Sequence, residues 1–281
     1  MKRIVIALLA LVMVFACVSC DNTTTTDETE KPSASEGTST EESTEASTEA
    51  STEESTSGTE EVTVMTYAEF DAAAIDSKVC VETYVQAKQG WWEKDGQGVG
   101  TFYTQNEEGA YFVYEMPCTK AEYDQLTAGT KIRVVGYKAE WSGEVEIVDA
   151  TFEILEGNFV ATAKDVTALL GTDDLIKSQN QFVAFKGLTV AASKNADGED
   201  VAFLYKWDGS GQEGDDLYFK VTVGENTYTF TVESYLCGAD TDVYKAVKEL
   251  KVGDKIDAEG FLYWYEGVNP HITAVTPVVE G

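Results

Sequence analysis

Four aromatic side chains have the types and the setting that suit ligand binding. Trp91 and Trp92 stand side by side in the glycine-rich polar segment 89–98 (QGWWEKDGQG), Trp141 lies in a later loop, and Tyr265 holds the matching position in the second half of the chain. Rings in such loops are costly to expose, so they either close the end of a folded core or form a platform on which a ligand stacks. A platform with nearby Glu and Asp suits a sugar, a short peptide or a partner protein. The sequence therefore predicts a ligand-binding set of Trp91, Trp92, Trp141 and Tyr265.

Groups that could perform acid–base or nucleophilic chemistry are scarce. His271 is the only histidine, and its setting (Asn-Pro-His-Ile) predicts a half-exposed structural residue at the start of the last strand. The globular part contains no G-x-S-x-G, no phosphate-binding G-x-x-x-x-G-K-[ST] and no C-x-x-C. A hydrolase that used two carboxylates would need a cleft with paired Asp or Glu, which nothing in the strand pattern creates. We therefore predict a protein that is not an enzyme, with no catalytic residue and no cofactor.

Metal binding is not expected either. Cys80, Cys118 and Cys237 are odd in number and their spacings suit no metal site, so we expect buried free thiols, with a Cys80–Cys118 disulfide as the alternative. Two acidic loops, 195–200 and 208–216, carry oxygen groups on glycine-rich turns of the kind that hard cations prefer. Neither loop has the full spacing of a calcium-binding loop, and we expect solvated turns.

The N-terminus has the layout of an export signal. Lys2 and Arg3 precede an apolar run over residues 4–17, which is shorter than the ~20 residues of a membrane-spanning helix. Small residues before Cys20 and polar sequence directly after it predict a lipoprotein signal peptide over residues 1–20, with Cys20 as the lipidated residue. Cys17 is the alternative, made less suitable by the bulky Phe15. We thus expect an extracytoplasmic protein of the cell envelope, anchored to the lipid bilayer through an acyl-cysteine.

A polar segment follows the signal. Residues 21–61 are almost wholly Thr, Ser, Glu and Ala, with 13 acidic residues, one lysine and no aromatic residue. Such a segment cannot bury enough apolar surface to offset the entropy of ordering its backbone. We predict a disordered tether that lifts the globular part away from the membrane.

The charge of the chain argues against polyanionic partners. The formal net charge is −30, and removing the signal (+2) and the tether (−12) leaves −20 on residues 62–281, where Arg133 is the only arginine. Nucleic-acid binding depends strongly on Lys and Arg, which displace counterions from phosphates. We therefore expect no nucleic-acid partner, and the same argument disfavours anionic lipid headgroups.

An internal repeat divides the globular part in two. The spaced pattern Leu126, Gly129, Lys131, Ile132, Gly136, Tyr137 recurs 124 positions later as Leu250, Gly253, Lys255, Ile256, Gly260, Phe261. Trp141 and Gly143 correspond in the same way to Tyr265 and Gly267. Repeats of this length indicate a duplicated structural unit. We predict two domains, over residues 62–157 and 158–281, each folding around its own core.

Both copies are predicted to contain mostly strands. Alternating, β-branched segments indicate strands at 79–87, 101–105, 110–114, 131–138 and 144–154 in the first copy, and at 182–191, 216–223, 227–233, 255–263 and 271–278 in the second. A capping box of Thr119 and Glu122 predicts a helix over 119–126, and a second helix is predicted over 241–250. Short helical stretches, 66–75 and 163–170, lead into the two copies.

This order of strand, hairpin, helix and hairpin is that of a five-stranded OB-fold barrel. The run from Val81 through Gly-Thr-Phe-Tyr-Thr-Gln and Ala-Tyr-Phe-Val-Tyr to Leu-x-x-Gly-x-Lys-Ile-x-x-x-Gly-Tyr resembles the OB-like modules of bacterial extracellular and lipid-anchored proteins, over residues 79–155 and more loosely over 182–279. The resemblance implies a mainly β fold with two tandem five-stranded OB-like barrels, each with a short helix between strands 3 and 4, after the disordered tether. Members of this class commonly bind oligonucleotides or oligosaccharides on strands 2 and 3 and in the loops joining strands 1–2 and 4–5, but this chain lacks the basic groove of the nucleic-acid binders.

Together these observations favour a membrane-anchored surface lipoprotein that acts as a non-enzymatic binding or adhesion module for a glycan, a peptide or an envelope protein. The alternatives are an extracellular nucleic-acid-binding OB protein and a structural spacer of the cell envelope.

Overall fold

The computed structural model describes residues 63–278. The predicted signal peptide, Cys17 and Cys20 and the tether over residues 21–61 lie outside the described residues. Within that range, no helix is long and apolar enough to cross a membrane.

The first half of the described chain forms a closed barrel. Its five main strands follow one another around the barrel in the order β1, β3, β4, β6, β5 and back to β1, with β4 and β6 parallel and the other neighbours antiparallel. This is the strand order of an OB fold. The elements are α1 (Tyr67–Ala72), β1 (Lys78–Lys88), β2 (Trp92–Lys94), β3 (Gln97–Gln105), β4 (Ala110–Pro117), α2 (Lys120–Gln125), β5 (Thr130–Trp141) and β6 (Glu144–Asn158).

The second half repeats this topology. Strands β8, β12, β13, β15 and β14 close on β8, again with one parallel pair, β13 and β15. The prediction of two tandem five-stranded barrels, each with a helix between strands 3 and 4, is confirmed. The elements are β7 (Lys164–Asp165), two 3-10 helices (Thr167–Leu169 and Asp173–Ser178), β8 (Phe182–Ala191), β9 (Ser193–Lys194), β10 (Asp200–Val201), β11 (Phe203–Tyr205), β12 (Leu217–Val223), β13 (Asn226–Val232), α3 (Asp242–Glu249), β14 (Lys255–Phe261) and β15 (His271–Pro277).

Two repeated glycines allow the fourth strand of each barrel to pack closely on the fifth. A Cβ on Gly260 would lie 2.2 Å from the carbonyl oxygen of His271, and a Cβ on Gly136 would lie 2.8 Å from that of Val148. Both glycines stand at irregularities in the strand register, where a barrel strand bends most. At these two positions the sequence repeat therefore reflects a steric requirement of barrel closure.

Each barrel has its own apolar core. In the first, Val79, Phe102, Ile132 and other alternating residues meet inside the barrel beneath α2, and in the second a larger cluster forms beneath α3. Helix α2 begins with the predicted capping box, in which the backbone N–H of Glu122 donates to the Thr119 hydroxyl and the Glu122 carboxylate accepts from Thr119. Cys80, Cys118 and Cys237 are buried free thiols, as expected.

One predicted helix is wrong. Residues 163–170 form the short strand β7, which pairs with β8, and then a single 3-10 turn. The Asp165 carboxylate accepts hydrogen bonds from the backbone N–H (3.0 Å) and the hydroxyl (2.7 Å) of Thr167. Such a local side-chain bond offers the backbone an alternative to the helix.

Helix α1 is tied to the first barrel by Lys138. The buried Nζ donates to the carbonyls of Phe70 (3.0 Å), Asp71 (2.8 Å) and Ala73 (3.0 Å). The last carbonyls of a helix lack partners within it, and a positive charge is favourable at that end.

Candidate ligand groove on the second barrel

The outer face of strands 2 and 3, where OB folds commonly bind ligands, is covered in the first barrel. On β3 and β4 the outward-facing Tyr103 and Phe112 are almost fully buried against the second barrel. The Tyr103 ring stacks on Phe261 with 4.4 Å between centroids, and its hydroxyl lies 2.7 Å from Nδ1 of His271. This face serves as the interface between the barrels.

The same face of the second barrel is open. Along β12 and β13 the residues alternate, so that Phe219 and Phe230 point into the core while Tyr218, Lys220 and Thr229 point outward. The outward residues form the floor of a groove of about 600 Å³. Its walls come from the loop between β8 and β12 and from the loop between β14 and β15; they are lined by Ala192, Ser193, Lys194, Asp200, Leu204, Trp207, Asp208, Tyr265, Val268 and Asn269.

Aromatic rings stand at both walls of this groove. Trp207 follows β11 and Lys206, whose positive φ of 58° turns the chain, and 75% of the tryptophan surface is exposed. On the other wall Tyr265 is held by a hydrogen bond from its backbone N–H to the carbonyl of Gly267 (2.8 Å). The Trp141 ring, from the first barrel, lies 5.1 Å from that of Tyr265.

The polar groups of the groove are balanced in charge. Two lysines and two aspartates line it, and Lys194 is paired with Asp200 at 2.8 Å. The carboxylate of Asp208 accepts from the backbone and hydroxyl of Ser210, which fixes the turn after Trp207. Burial raises the pKa of the Tyr218 hydroxyl to about 12, with the nearby carboxylates adding to the shift, so this group is a neutral hydrogen-bonding partner near pH 7.

The structure divides the predicted ligand set into two places. Trp141 and Tyr265 lie together at the groove of the second barrel, whereas Trp91 and Trp92 lie on the first. Trp91 is half-buried and packs against the first core, and its indole N–H donates to the carbonyl of Cys118 (3.0 Å). Trp92 is 46% exposed.

Two aromatic residues of the groove, Trp207 and Tyr218, were absent from the sequence-based set. Trp207 stands in a glycine-rich acidic loop much like that of Trp91 and Trp92, and this shared setting was the available signal. Tyr218 occupies an alternate position of a predicted strand, but only the open face of the second barrel distinguishes it from Tyr103, which the equivalent strand buries.

Ionisable groups are buried where the two barrels meet. Burial lowers the pKa of His271 to about 3, and this histidine is buried rather than half-exposed as predicted, with its ring stacked 4.3 Å from Tyr263. Burial raises the pKa of Glu144 to about 8. One Glu144 oxygen, Oε2, accepts from the backbone of Trp264 (2.9 Å) and from Nε2 of Gln179 (3.2 Å). These groups join the barrels, and none of them faces the groove.

The acidic loops are hydrogen-bonded turns. In the first, Oδ1 of Asn195 accepts from the backbone N–H groups of Asp197 (3.0 Å) and Glu199 (2.8 Å). In the part of the chain that the structure describes, no three His, Cys, Asp or Glu side chains converge as metal ligands would.

Comparison with known proteins gives structural neighbours only. No protein-family model matches the chain, and no curated protein matches it. A murine DNA-binding protein solved with double-stranded DNA is 13% identical, with a TM-score of 0.33 over 72% of this chain and 97% of that one. The p204 HINb domain is 12% identical, with a TM-score of 0.34 over 73% and 100%. The Ifi202 HINa domain, solved with double-stranded DNA, is 12% identical, with a TM-score of 0.33 over 72% and 98%. Likeness at this level does not bear on what the present chain binds.

Proposed function

We propose that this protein is a non-enzymatic binding module of the cell envelope, anchored through an acylated Cys20, and that it binds a neutral glycan in the groove of the second barrel. The observation that carries the proposal is the open face of strands 2 and 3, flanked by the exposed rings of Trp207 and Tyr265. Aromatic rings stack on the apolar faces of sugar rings, and the amphipathic Tyr218 and Tyr265 can also meet hydroxyl groups.

The charge of the groove favours a neutral ligand over an anionic one. Lys194 is paired with Asp200, and the groove is lined by one further lysine, Lys220, and one further aspartate, Asp208. A polyanion gains affinity mainly by releasing counterions when lysines and arginines neutralise its phosphates. Here the lysines are already balanced by carboxylates, and residues 62–281 carry a net charge of −20.

Oligonucleotide binding is the competing function, because the groove combines two lysines with aromatic rings on which bases could stack. The two functions differ in their response to salt. Phosphate-driven binding weakens steeply as salt rises, whereas stacking of a neutral sugar depends on it little.

The test is a calorimetric titration of a fragment over residues 58–281, which contains both barrels. Neutral oligosaccharides and single-stranded DNA are titrated at low and high salt, into the wild type and Trp207→Ala. We expect binding of a neutral oligosaccharide that persists in high salt and weakens roughly tenfold in Trp207→Ala, since a stacked ring is worth ~1–3 kcal/mol. Trp92→Ala is the matched control and should bind normally. Salt-sensitive DNA binding without glycan binding would establish the competing function, and no binding at all would favour a structural spacer.

Anchoring is tested separately. Cys20→Ser should abolish lipid labelling of the full-length chain, while Cys17→Ser should retain it. If only Cys17→Ser removes the label, the lipidated residue has been assigned wrongly.

A further inference from the structure

A second aromatic cavity lies on the first barrel, outside the groove. It has a volume of about 600 Å³, and its walls include Trp91, Trp92, Tyr114 and Tyr235, with Glu115 beside them. Tyr235 belongs to the second barrel and is 75% exposed. The cavity therefore has four aromatic side chains and a carboxylate, drawn from both barrels.

Hydrogen bonds position two of the aromatic residues, Trp91 and Tyr235. The indole of Trp91 is fixed by its bond to the Cys118 carbonyl. The backbone of Tyr235 is fixed at both ends, since its N–H donates to Oε1 of Glu233 (3.1 Å) and its carbonyl accepts from Gly90 (2.9 Å). Among the described residues, Trp91, Trp92 and Tyr235 take part in no aromatic pair, and the ring of Tyr114 neighbours only that of Phe112, at 6.4 Å. No other aromatic ring of the described residues therefore stacks on Trp91, Trp92 or Tyr235, which line the cavity.

One carboxyl group lies in the wall of this cavity, and two more are close to wall residues. Glu115 lies in its wall, Glu233 holds the backbone of Tyr235, and Glu146 lies close enough to Glu115 for the two to repel. Burial raises the pKa of Glu146 to about 7, and the charge of Glu115 adds to the shift; burial also raises the pKa of Glu233 to about 7. Lys94 forms an ion pair with Glu115, and it is the only base whose ion pair reaches the cavity wall within residues 63–278. Among the described residues, the cavity wall therefore holds one carboxylate, and the lysine that reaches it is already paired with that carboxylate.

We infer that this cavity binds an organic cation, specifically a quaternary ammonium group of the choline type. The negative faces of Trp and Tyr rings attract such a group, and recognition of quaternary ammonium by several aromatic rings is a common use of this attraction. The Glu115 carboxylate stands beside the rings, and Lys94 is held by that carboxylate, so it offers little to an anionic substituent. This site is separate from the glycan groove in place and in chemistry, and it does not depend on the proposed function.

Choline is the probe, and its neutral analogue, in which carbon replaces the quaternary nitrogen, is the control ligand. Both ligands have the same shape, so the difference between their affinities measures the contribution of the positive charge. Calorimetric titration of residues 58–281, checked for cooperative melting, should show binding of choline and at least about fivefold weaker binding of the analogue. Phosphocholine, added as a third arm, separates free choline from a choline headgroup as the source of the group.

Three single substitutions test whether choline binds in this cavity. Trp92→Ala and Tyr235→Ala replace exposed residues that the core does not need, and each should weaken choline binding about fivefold or more. Trp207→Ala, in the groove of the second barrel, should bind choline as the wild type does. Equal binding of choline and its neutral analogue, no measurable binding of choline, or a loss confined to Trp207→Ala would each overturn the inference. None of these results depends on whether the groove binds a glycan.

Discussion

At the scale of single residues, Glu144 is the most unusual group in the protein. It is fully buried, and its Oε1 has no hydrogen-bond partner; the same is true of Oδ1 of the neighbouring Asn180. Two buried acceptors without donors are unfavourable, and protonation of Glu144 removes its buried charge and turns one of its oxygens into a donor. Burial therefore favours the protonated carboxyl, in agreement with its raised pKa of about 8.

The raised pKa of Glu144 predicts that replacing this residue with glutamine stabilises the folded protein at high pH. Because the pKa of Glu144 is higher in the folded than in the unfolded chain, the folded state binds the proton more tightly. Its contribution to stability is fully present below about pH 4.5 and is lost as the pH rises toward 8, by at most ~1.4 kcal/mol per pH unit. Glu144→Gln keeps an acceptor and supplies a permanent N–H donor. We expect it to equal the wild type near pH 4.5 and to melt at a higher temperature at pH 8.

The exposed Glu156 provides the control for this measurement. Glu156→Gln should change the free energy of unfolding by less than about 0.5 kcal/mol, since this side chain is exposed. If Glu144→Gln is less stable than the wild type at pH 8, Glu144 is charged in the folded protein and the argument is wrong.

Trp91 and Trp92 are adjacent in sequence but differ in what they contact. The ring of Trp91 packs on the first core and lies over Gly98, whereas Trp92 is half in solvent. We expect Trp91→Ala to lower the free energy of unfolding by about 2–4 kcal/mol and Trp92→Ala by less than about 1 kcal/mol, as measured by urea denaturation. Equal losses would mean that both rings, or neither, belong to the core.

The sequence predicted only some of the candidate site residues and their surroundings. The setting of Tyr265 identified it as a candidate, and the structure places it at the groove beside Trp141. The sequence could not divide the four rings between two places, because that division depends on which barrel face is covered. Nor could it predict that His271 is buried, since its burial comes from Tyr103 and Tyr263 rather than from its own strand.

At the scale of elements, the sequence was highly informative. Period-two alternation predicted all ten barrel strands, and strand β8 has the predicted bounds, because alternation directly reports which residues face a core. The predicted helix over 163–170 failed because a local bond from Asp165 outweighs a weak helical pattern. The short strands β2, β9, β10 and β11 were missed, since strands of two or three residues carry almost no pattern.

Replacement of the repeated glycine in the fourth strand should destabilise the barrel. Gly260→Ala places a methyl group 2.2 Å from a backbone oxygen of the neighbouring strand, and backbone cannot move aside as a side chain can. We expect a loss of about 2–3 kcal/mol in the free energy of unfolding, by denaturant titration. Gly90→Ala, where a Cβ has no atom within 4 Å, is the matched control and should change stability by less than about 0.5 kcal/mol. A small effect at Gly260 would show that the barrel can open there without cost.

At the scale of the whole molecule, the repeat predicted two barrels but not how they meet. The pattern that closes each barrel is internal to each copy, whereas the interface also depends on polar side chains that are not part of the repeat. Side chains of one barrel bond to the backbone of the other: Gln105 accepts from the N–H of Phe182 (2.8 Å), Gln179 donates to the carbonyl of Gly143 (2.8 Å) and Asn180 donates to that of Val145 (3.1 Å). Single polar residues of this kind leave no periodic signal.

Because the barrels share a buried interface, each barrel should fold alone but with lower stability than in the intact chain. Fragments 58–158 and 159–281 each retain a core, so both should show β-rich circular dichroism and cooperative melting. Separation exposes Tyr103, Phe112 and Phe261 and leaves the polar partners across the interface unpaired. A loss of even a few kcal/mol lowers the melting temperature of a domain of this size by ~10 °C or more. We therefore expect both fragments to melt well below the intact chain, to bind a dye for exposed apolar surface, and to regain stability when mixed. Fragments that melt at the temperature of the intact chain, with no effect of mixing, would show that the buried face of the first barrel contributes nothing to its stability.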